Sequence, residues 1–415
     1  MLIGQGIPGA GPTADKKDER GRMRKSQGIV RHSDRLRKSS LGSSSLTVVI
    51  SLAFALTACA SRPGPEVLQS VAAIPADARK VKVYVATTRE SAGAQVPGFT
   101  QGRDTKINYA QYDISIPPGH KAGDIEWPKR GRAPDPSTSF TVAAHSRLEP
   151  LQFKSSVASS AKAYQGSAAP IGVFVHGFNF NFQEALFRFA QLSADADIDG
   201  VPILFSWPSQ AALTGYVADK ESVTYSRDYL VQLLTELAAT QPKSQIMLFG
   251  HSMGGWLVAE TLRQLKLTGR EDVLARLNVV LAAPDIDADV FRQQIAVIGP
   301  LSPPMTILVS KDDRALQAAS LIAGNAPRIG ALDIADPTVQ AAAAREKVRL
   351  IDISEIKASD RINHDRYITL ATSYPKFTQQ KDDVTLGQVG AFVFDAAAAT
   401  VSSPFRLVSA ALSGQ

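Results

Sequence analysis

The chain has 415 residues, is 44% hydrophobic and 20% charged, and contains a single cysteine. This composition excludes a globally disordered chain, and one cysteine excludes both an intramolecular disulfide and a cysteine-rich zinc site. The net charge of +6 at first suggests an anionic partner. However, residues 1–58 hold ten Lys or Arg and four acidic residues, so the rest of the chain carries 35 charges of each sign. We therefore expect no nucleic-acid partner.

The first predicted element is a lipoprotein-type signal over residues 1–58. Its apolar run, Leu46–Leu56, has 11 residues, whereas a membrane-spanning helix needs roughly 20. The run leads into a Leu-Thr-Ala-Cys motif that resembles the lipobox of bacterial lipoproteins, which predicts lipidation of Cys59. The alternative is an ordinary buried cysteine after an anchor helix. A start at Met23 would give a basic region of more usual length.

Lipidation would place the protein in the bacterial cell envelope. Acyl chains on Cys59 would anchor it to a membrane. Ala60 stands where an aspartate tends to retain such lipoproteins at the inner membrane, so we expect the outer membrane, facing the periplasm. Residues 59–79 are predicted to be the lipidated cysteine and a flexible tether, because the segment is rich in proline, glycine and alanine.

Residues 80–375 are predicted to form one catalytic domain of α/β class. Short β-branched runs alternate with helical patterns, and from residue 172 onward most runs are continuously apolar, as is typical of buried parallel strands. This alternation predicts a doubly wound, mostly parallel sheet flanked by helices. The predicted strands are Val81–Thr87, Tyr112–Ile116, Ser139–Ala144, Gly172–His176, Pro202–Ser206, Gln245–Phe249, Asn278–Ala282, Met305–Ser310 and Val348–Ile353. The predicted helices are Phe182–Ala190, Ser222–Ala239, Met253–Leu265 and Ala315–Ala323, followed in residues 376–415 by Leu386–Ala399 and a tail.

The most specific local motif is Gly250-His-Ser-Met-Gly254, a Gly-x-Ser-x-Gly pattern between a predicted strand and a predicted helix. A nucleophilic serine in this setting sits on a sharp, strained turn, and glycine two residues to either side lets the chain pack that closely. We therefore predict Ser252 as a nucleophile, with Gly250 and Gly254 supporting its turn.

A second motif lies about 75 residues upstream, where a predicted strand ends in His176 and Gly177. Hydrolases with a nucleophile turn of this kind place part of their oxyanion hole after such a strand. We predict that the N–H groups of Phe178 and Met253 form that hole. His176 is interpreted as packing at the strand end and orienting the loop, and Asn179 as bracing the turn.

A serine nucleophile needs a base and a carboxylate that orients the base. His364 is the only histidine after Ser252, and the order serine, acid, histidine therefore predicts it as the base. Asp313, in an Asp-x-x-Leu sequence after the penultimate predicted strand, is the first choice for the acid. The alternatives for the acid are Asp312, Asp285 and Asp287.

Together these motifs resemble a poorly characterised bacterial family, the α/β hydrolases of unknown function called the "esterase/lipase superfamily". The resemblance covers roughly residues 80–375 and implies Ser252 as nucleophile, His364 as base and an aspartate after a late strand. Thr88 departs from the family, where asparagine is expected. The motifs that carry the family resemblance are Val83–Arg89, Tyr112–Pro117, Val175–Asn179, Phe205–Ser209, Gly250–Gly254 and Ala282–Asp285.

The sequence thus predicts a serine hydrolase, carboxylesterase-like or lipase-like, that acts on a small-molecule or lipid ester through an acyl-enzyme and needs no metal or other cofactor. Thioesterases, amidases and acyltransferases use the same triad, so these activities stay open. A non-catalytic scaffold or binding module in the envelope is the alternative from another class, because fold alone does not establish function. The oligomeric state is left open.

Overall fold

The computed structural model describes residues 62–379, except 94–95, 164–169, 198–199 and 242, together with 392–395 and 400–402. The predicted signal, Met23 and Cys59 lie outside the described residues. No helix within these ranges is both long and apolar enough to cross a membrane.

The described strands form a single sheet in the order β11-β10-β9-β8-β7-β6-β4-β5-β1-β2-β3. Neighbours from β1 to β9 through β5, β4, β6, β7 and β8 are parallel, and only the pairs at the two ends are antiparallel. The predicted fold class is confirmed, and each of the nine predicted strands overlaps an observed one. The strands are β1 (Arg79–Ser91), β2 (Phe99–Ile116), β3 (Thr141–Leu148), β4 (Ile171–Val175), β5 (Val201–Ser206), β6 (Ile246–His251), β7 (Leu277–Ala282), β8 (Thr306–Val309), β9 (Arg349–Asp352), β10 (Phe392–Asp395) and β11 (Thr400–Ser402).

Helices flank this sheet, and the side chains of its central strands show that both faces are covered. Val173 and Val175 of β4 pack in one apolar cluster with Leu233 and Leu257, whereas Phe174 packs in the other cluster with Phe187. Burial on both faces explains why the central strands are continuously apolar. In the described residues the helices are α1 (Pro150–Ala163), α2 (Phe182–Asp195), α3 (Tyr216–Thr240), α4 (Met253–Leu267), α5 (Glu271–Leu274), α6 (Ala288–Ile298), α7 (Arg314–Ile322), α8 (Pro337–Glu346) and α9 (Arg366–Gln379).

The predicted flexible tether was wrong from residue 62 to residue 71. Pro65–Leu68 forms a turn of 3₁₀ helix, and Val67 and Leu68 are buried. The N–H of Val71 donates to the carbonyl of Val142 at the start of β3. Proline and glycine gave this segment the composition of a linker, but its two apolar side chains have a place in the core, and their burial stabilises the docked conformation.

The predicted helix Leu386–Ala399 was wrong at residues 392–395, which form β10 and pair with β9. Phe392, Val393 and Phe394 favour a strand, and pairing with a sheet edge overrides the helical tendency of the neighbouring alanines. Most of the other residues of 376–415 lie outside the described ranges, although α9 extends to Gln379.

The parallel strands bring the predicted site residues to one edge of the sheet. β4 ends one residue before His176, β6 ends at His251, and β8 ends four residues before Asp313. Because the carboxyl ends of parallel strands lie at the same edge, the loops that follow β4, β6, β8 and β9 meet there, as is usual for binding sites in such sheets.

Candidate active site

Ser252 occupies the strained turn that its motif predicts. It lies between β6 and α4 with φ 54° and ψ −120°, a conformation that a non-glycine residue keeps only where its surroundings enforce it. Three hydrogen bonds fix the turn: the N–H of Ser252 donates to the carbonyl of Ala282 at 2.9 Å, and the N–H groups of Gly255 and Asp285 donate to the carbonyl of Ser252 at 2.9 and 3.1 Å. Ser252 is only 5% exposed.

The glycines around Ser252 are required by close packing. A Cβ atom at Gly254 would lie 2.4 Å from the carbonyl oxygens of His176 and Val175, and one at Gly250 would lie 2.9 Å from the carbonyl oxygen of Gly254. A Cβ atom at Gly177 would lie 3.0 Å from the Cβ of Ser252. The loop after β4 therefore runs directly against the serine turn, which brings the predicted oxyanion residue Phe178 next to it.

His364 and Asp313 form a buried hydrogen-bonded pair. Nδ1 of His364 lies 2.7 Å from Oδ2 of Asp313, whose side chain is fully buried. The other carboxylate oxygen, Oδ1, accepts the N–H of Leu316 at 3.0 Å and so caps α7. Burial disfavours a charged imidazole, but the hydrogen bond and charge of Asp313 outweigh it and raise the pKa of His364 to about 9.

His364 lies beside the serine turn. The centroid of its ring is 4.7 Å from that of His251, the residue before Ser252. Burial and the neighbouring His364 hold the pKa of His251 well below its usual value, so His251 is neutral. Within the described part of the chain, neither Ser252 Oγ nor His364 Nε2 takes part in a hydrogen bond. Catalytic hydrogen bonds are often long before substrate binds.

The alternative acids have other partners. Asp312 pairs with Arg366, with Nη2 2.8 Å from Oδ2, and this hydrogen bond is the main cause that lowers the pKa of Asp312 to about 2. Asp285 accepts the hydroxyl of Tyr216 at 2.7 Å, and Asp287 caps the first turn of α6. Among the described residues, Asp313 is the carboxylate that hydrogen-bonds the His364 side chain.

His176 has the structural position that its strand-end location predicts. It is fully buried, its ring stacks on Trp207 with centroids 4.9 Å apart, and its carbonyl accepts the Trp207 Nε1–H at 2.7 Å. Burial, with a contribution from nearby Arg89, lowers the pKa of His176 to about 3, so the ring is neutral. His176 thus joins the end of β4 to the loop after β5.

Arg89, at the end of the motif Val83–Arg89, is a residue to which the sequence reasoning gave no role. It is fully buried, and burial lowers its pKa to about 9 although nearby Asp219 and Glu184 oppose that effect. Its guanidinium donates to oxygens on three segments: Ser206 Oγ at 2.9 Å, Phe180 O at 3.0 Å, Thr100 O at 3.2 Å and Ser209 O at 3.3 Å. The available signal was its position at the end of the motif Val83–Arg89, two residues after the predicted strand Val81–Thr87.

The aromatic residues around the site divide into two groups. Phe182 and Trp207 are buried in the core, whereas Phe178 and Phe180 remain partly exposed. The ring of Phe178 meets that of Tyr216 edge to face at 5.4 Å. Partly exposed aromatic surface next to the serine turn is suited to contact an apolar group of a ligand.

The match to a protein-family model agrees with the fold. The family described as "Alpha/beta hydrolase of unknown function (DUF900)" matches residues 154–380, more than half of the chain, including Ser252, Asp313 and His364. A crystal structure of a protein from Agrobacterium vitis S4 that is named a hydrolase is similar at 13% identity and a TM-score of 0.26, over 56% of this chain and 85% of that one. No curated protein matches the chain. The chain therefore belongs to the alpha/beta hydrolase family of unknown function.

Proposed function

We propose that this protein is a serine hydrolase that cleaves acyl esters, with Ser252 as nucleophile, His364 as general base and Asp313 as the carboxylate that orients the base. One observation carries the proposal: the 2.7 Å contact between His364 Nδ1 and the buried Asp313 Oδ2, beside a serine held at φ 54°. A strained serine, a paired histidine and a buried acid at one sheet edge form the arrangement that nucleophilic acyl transfer requires.

Asp313 determines which nitrogen of His364 can act as a base. Because the carboxylate accepts a hydrogen bond at Nδ1, the proton of the neutral ring stays on Nδ1 and the lone pair of Nε2 is free. Nε2 takes the Ser252 hydroxyl proton as Oγ attacks the ester carbonyl. It then gives that proton to the departing alkoxide, leaving an acyl group on Ser252. A water molecule then gives a proton to His364 Nε2 as its oxygen attacks the acyl carbon. Nε2 returns that proton to Ser252 Oγ as the bond between Oγ and the acyl carbon breaks, and the acid is released.

The negative charge on the tetrahedral intermediate needs donors next to Ser252. Met253 is the first residue of α4, so its N–H has no partner within the helix and lies at the positive end of the helix dipole. The close approach of Gly177 to Ser252 supports Phe178 N–H as the second donor. Each such donor is typically worth about 2.7–4 kcal/mol in the transition state.

An ester substrate with an apolar acyl group is supported by the partly exposed Phe178 and Phe180. The test is hydrolysis of a series of p-nitrophenyl esters of increasing acyl length by the wild type, by Ser252→Ala and by Ser244→Ala. Ser244 is a matched control, because it is a buried serine whose Oγ has no partner in the described residues.

The wild type and Ser244→Ala should hydrolyse the esters, whereas Ser252→Ala should lose about 10⁴- to 10⁶-fold in rate. If the wild type hydrolysed only thioesters or amides and Ser252→Ala did not, Ser252 would stand as the nucleophile and the proposed ester substrate would be wrong. Equal activity in all three proteins would refute Ser252 as the nucleophile.

We also propose that Cys59 carries a lipid that anchors the protein in the envelope, with the outer membrane as its place and the periplasm as the compartment of its domain. The lipobox-like sequence before the only cysteine of the chain supports this. The full chain expressed with an alkyne fatty acid should become labelled and sediment with membranes, and Cys59→Ser should do neither. Labelling that persists in Cys59→Ser would contradict the proposal.

A further inference from the structure

The segment 62–71, here called the strap, lies against the loop that carries Phe178. The carbonyl of Pro63 accepts the side-chain amides of Asn181 at 3.0 Å and Gln183 at 2.7 Å. Further along, Leu68 is fully buried. The strap is therefore seated on the domain through side-chain contacts and is not a free linker.

Arg62 begins the strap and uses its whole guanidinium. Nε and Nη2 bind the two oxygens of Glu184 at 2.9 and 2.7 Å, which is a bidentate ion pair. Nη1 donates to Asn179 Oδ1 at 2.8 Å and to the carbonyl of Ala211, and Nη2 donates to the carbonyl of Asn179. A guanidinium has five N–H groups, and these contacts supply five acceptors. Such complete pairing is unusual for a side chain that is 36% exposed.

The two carbonyls that Arg62 binds belong to strained residues. Asn179 has φ 65° and Ala211 has φ 54°, both in the left-handed region that L-residues rarely adopt. Such conformations persist only where surrounding contacts enforce them. Asn179 directly follows Phe178, so the contacts that hold the backbone of Asn179 also restrain the position of Phe178 from its carboxyl side. Ala211 lies in the loop after β5 that Arg89 also binds, through Ser209.

Glu184 connects the same guanidinium to the start of α2. Its Oε2 accepts the N–H of Asn181 at 2.9 Å, and Asn181 Oδ1 accepts the N–H of Glu184 at 2.8 Å, which is a capping box. Arg62 therefore contacts the loop 177–181 at its middle, through Asn179, and at its end, through the capped turn. Arg89 holds the same loop from the buried side at Phe180 O.

We infer that Arg62 is a positioning residue that fixes the Phe178 N–H in the orientation needed to bind the oxyanion. This inference rests on the proposed function. Arg62 touches neither the serine nor its base, so its loss should leave substrate binding intact and weaken the stabilisation that develops in the transition state.

The test compares the full chain with Arg62→Ala, Arg62→Lys and the control Arg345→Ala, an exposed arginine whose ion pair is with its neighbour Glu346. Active sites are counted by titration, and kcat per active site and KM are measured on a short soluble ester. Arg62→Ala should lower kcat by about 10- to 100-fold, as misplacement of a catalytic group does, with KM within about twofold of the wild-type value. Arg62→Lys should fall between, because an ammonium has three donors and cannot pair with Glu184 bidentately.

Chemical rescue distinguishes positioning from a folding defect. Ethylguanidinium should restore part of the kcat of Arg62→Ala, whereas ethylammonium should not, because only the planar ion supplies paired donors. A kcat per active site within about twofold of wild type in Arg62→Ala would overturn the inference.

Hydrogen–deuterium exchange gives a readout that does not depend on activity. In Arg62→Ala, amide exchange of residues 177–181 should accelerate while that of the Ser252 turn stays unchanged. Unchanged exchange in 177–181 would overturn the inference even if the wild type proved inactive. Wild-type inactivity with accelerated exchange in the variant would instead refute the proposed function and retain Arg62 as the residue that holds this loop.

Discussion

The two halves of the candidate site are held in place by different kinds of contact. On the proton-transfer side, Asp313 caps the helix that it begins, and Ser252 is fixed by backbone hydrogen bonds at the end of its own strand. On the oxyanion side, the loop 177–181 is held by Arg62 and Arg89, which stand 117 and 91 residues away from Asn179 and Phe180. Local motifs therefore provide the proposed reacting groups, whereas distant arginines hold the loop beside them.

Among the variants that test the proton-transfer half, Asp313→Asn should cause the largest loss of activity. The variant loses the carboxylate that fixes the tautomer of His364, so kcat should fall by about 10⁴-fold. Asp312→Asn is the matched control, because Asp312 pairs with Arg366 instead, and it should lose far less activity. Steady-state kinetics of the two variants decide the matter. A larger loss of activity in Asp312→Asn than in Asp313→Asn would show that Asp312 is the acid and would contradict the assignment of Asp313.

Replacement of Arg89, which holds the loop on the oxyanion side, should lower the thermal stability of the protein. Arg89→Met removes a buried cation and leaves the carbonyls of Phe180 and Ser209 without that donor. A buried acceptor left without its donor costs about 1–3 kcal/mol, so the two carbonyls together correspond to a fall in Tm of roughly 4–24 °C. Differential scanning calorimetry measures it. A Tm within about 2 °C of wild type would show that the loop does not depend on Arg89.

The pH dependence of kcat/KM reports on the proton-transfer half alone. His364 acts as a base only when neutral, and Asp313 raises its pKa to about 9. The neutral fraction, and with it kcat/KM, should therefore increase about tenfold per pH unit below that pKa and level off above it. In Asp313→Asn the rising limb should move to lower pH, whereas in Arg62→Ala it should stay. A limb that moves in Arg62→Ala would contradict the separation of the halves.

A contact remote from both halves should change stability and leave the kinetics unchanged. His120 lies between Asp195 and Glu126, 2.8 Å from each, at the far end of α2. Burial lowers its pKa, but the hydrogen bonds to the two carboxylates outweigh that effect and raise it above 6.5. The stabilisation of the fold by charged His120 is therefore complete below pH 6.5 and disappears as the pH rises through the folded-state pKa of His120.

His120→Asn should lower Tm by roughly 2–4 °C near pH 6, on the basis of about 1 kcal/mol for a partly exposed charged hydrogen bond, and by less near pH 9. Thermal melts at the two pH values measure this difference, and kcat per active site is the internal control. An equal Tm difference at both pH values would show that the charge on His120 does not stabilise the fold.

The sequence is informative where a residue and its role lie close together in the chain. Continuous apolar runs predict the central strands because both faces of the sheet are covered. The Gly-x-Ser-x-Gly motif predicts the turn because its glycines are needed for close packing, and the Asp-x-x-Leu sequence predicts Asp313 as the acid. These patterns are complete within a few residues.

The strap could not be predicted in the same way. Arg62-Pro-Gly-Pro has the composition of a linker, and its partners are defined only when α2 and the loop after β5 are in place. Arg89 had only a weak signal, its position two residues after the predicted strand Val81–Thr87. The local pattern predicts a helix over Phe392–Asp395 because it does not reveal the pairing with β9.

Covalent labelling by a fluorophosphonate probe, followed by peptide mass spectrometry, tests the central claim most directly. The proposed function predicts one adduct on the peptide that contains Ser252, with labelling abolished in Ser252→Ala and strongly slowed in Asp313→Asn and retained in Ser244→Ala. A folded wild-type protein that is not labelled, or that is labelled equally in Ser252→Ala, would contradict it.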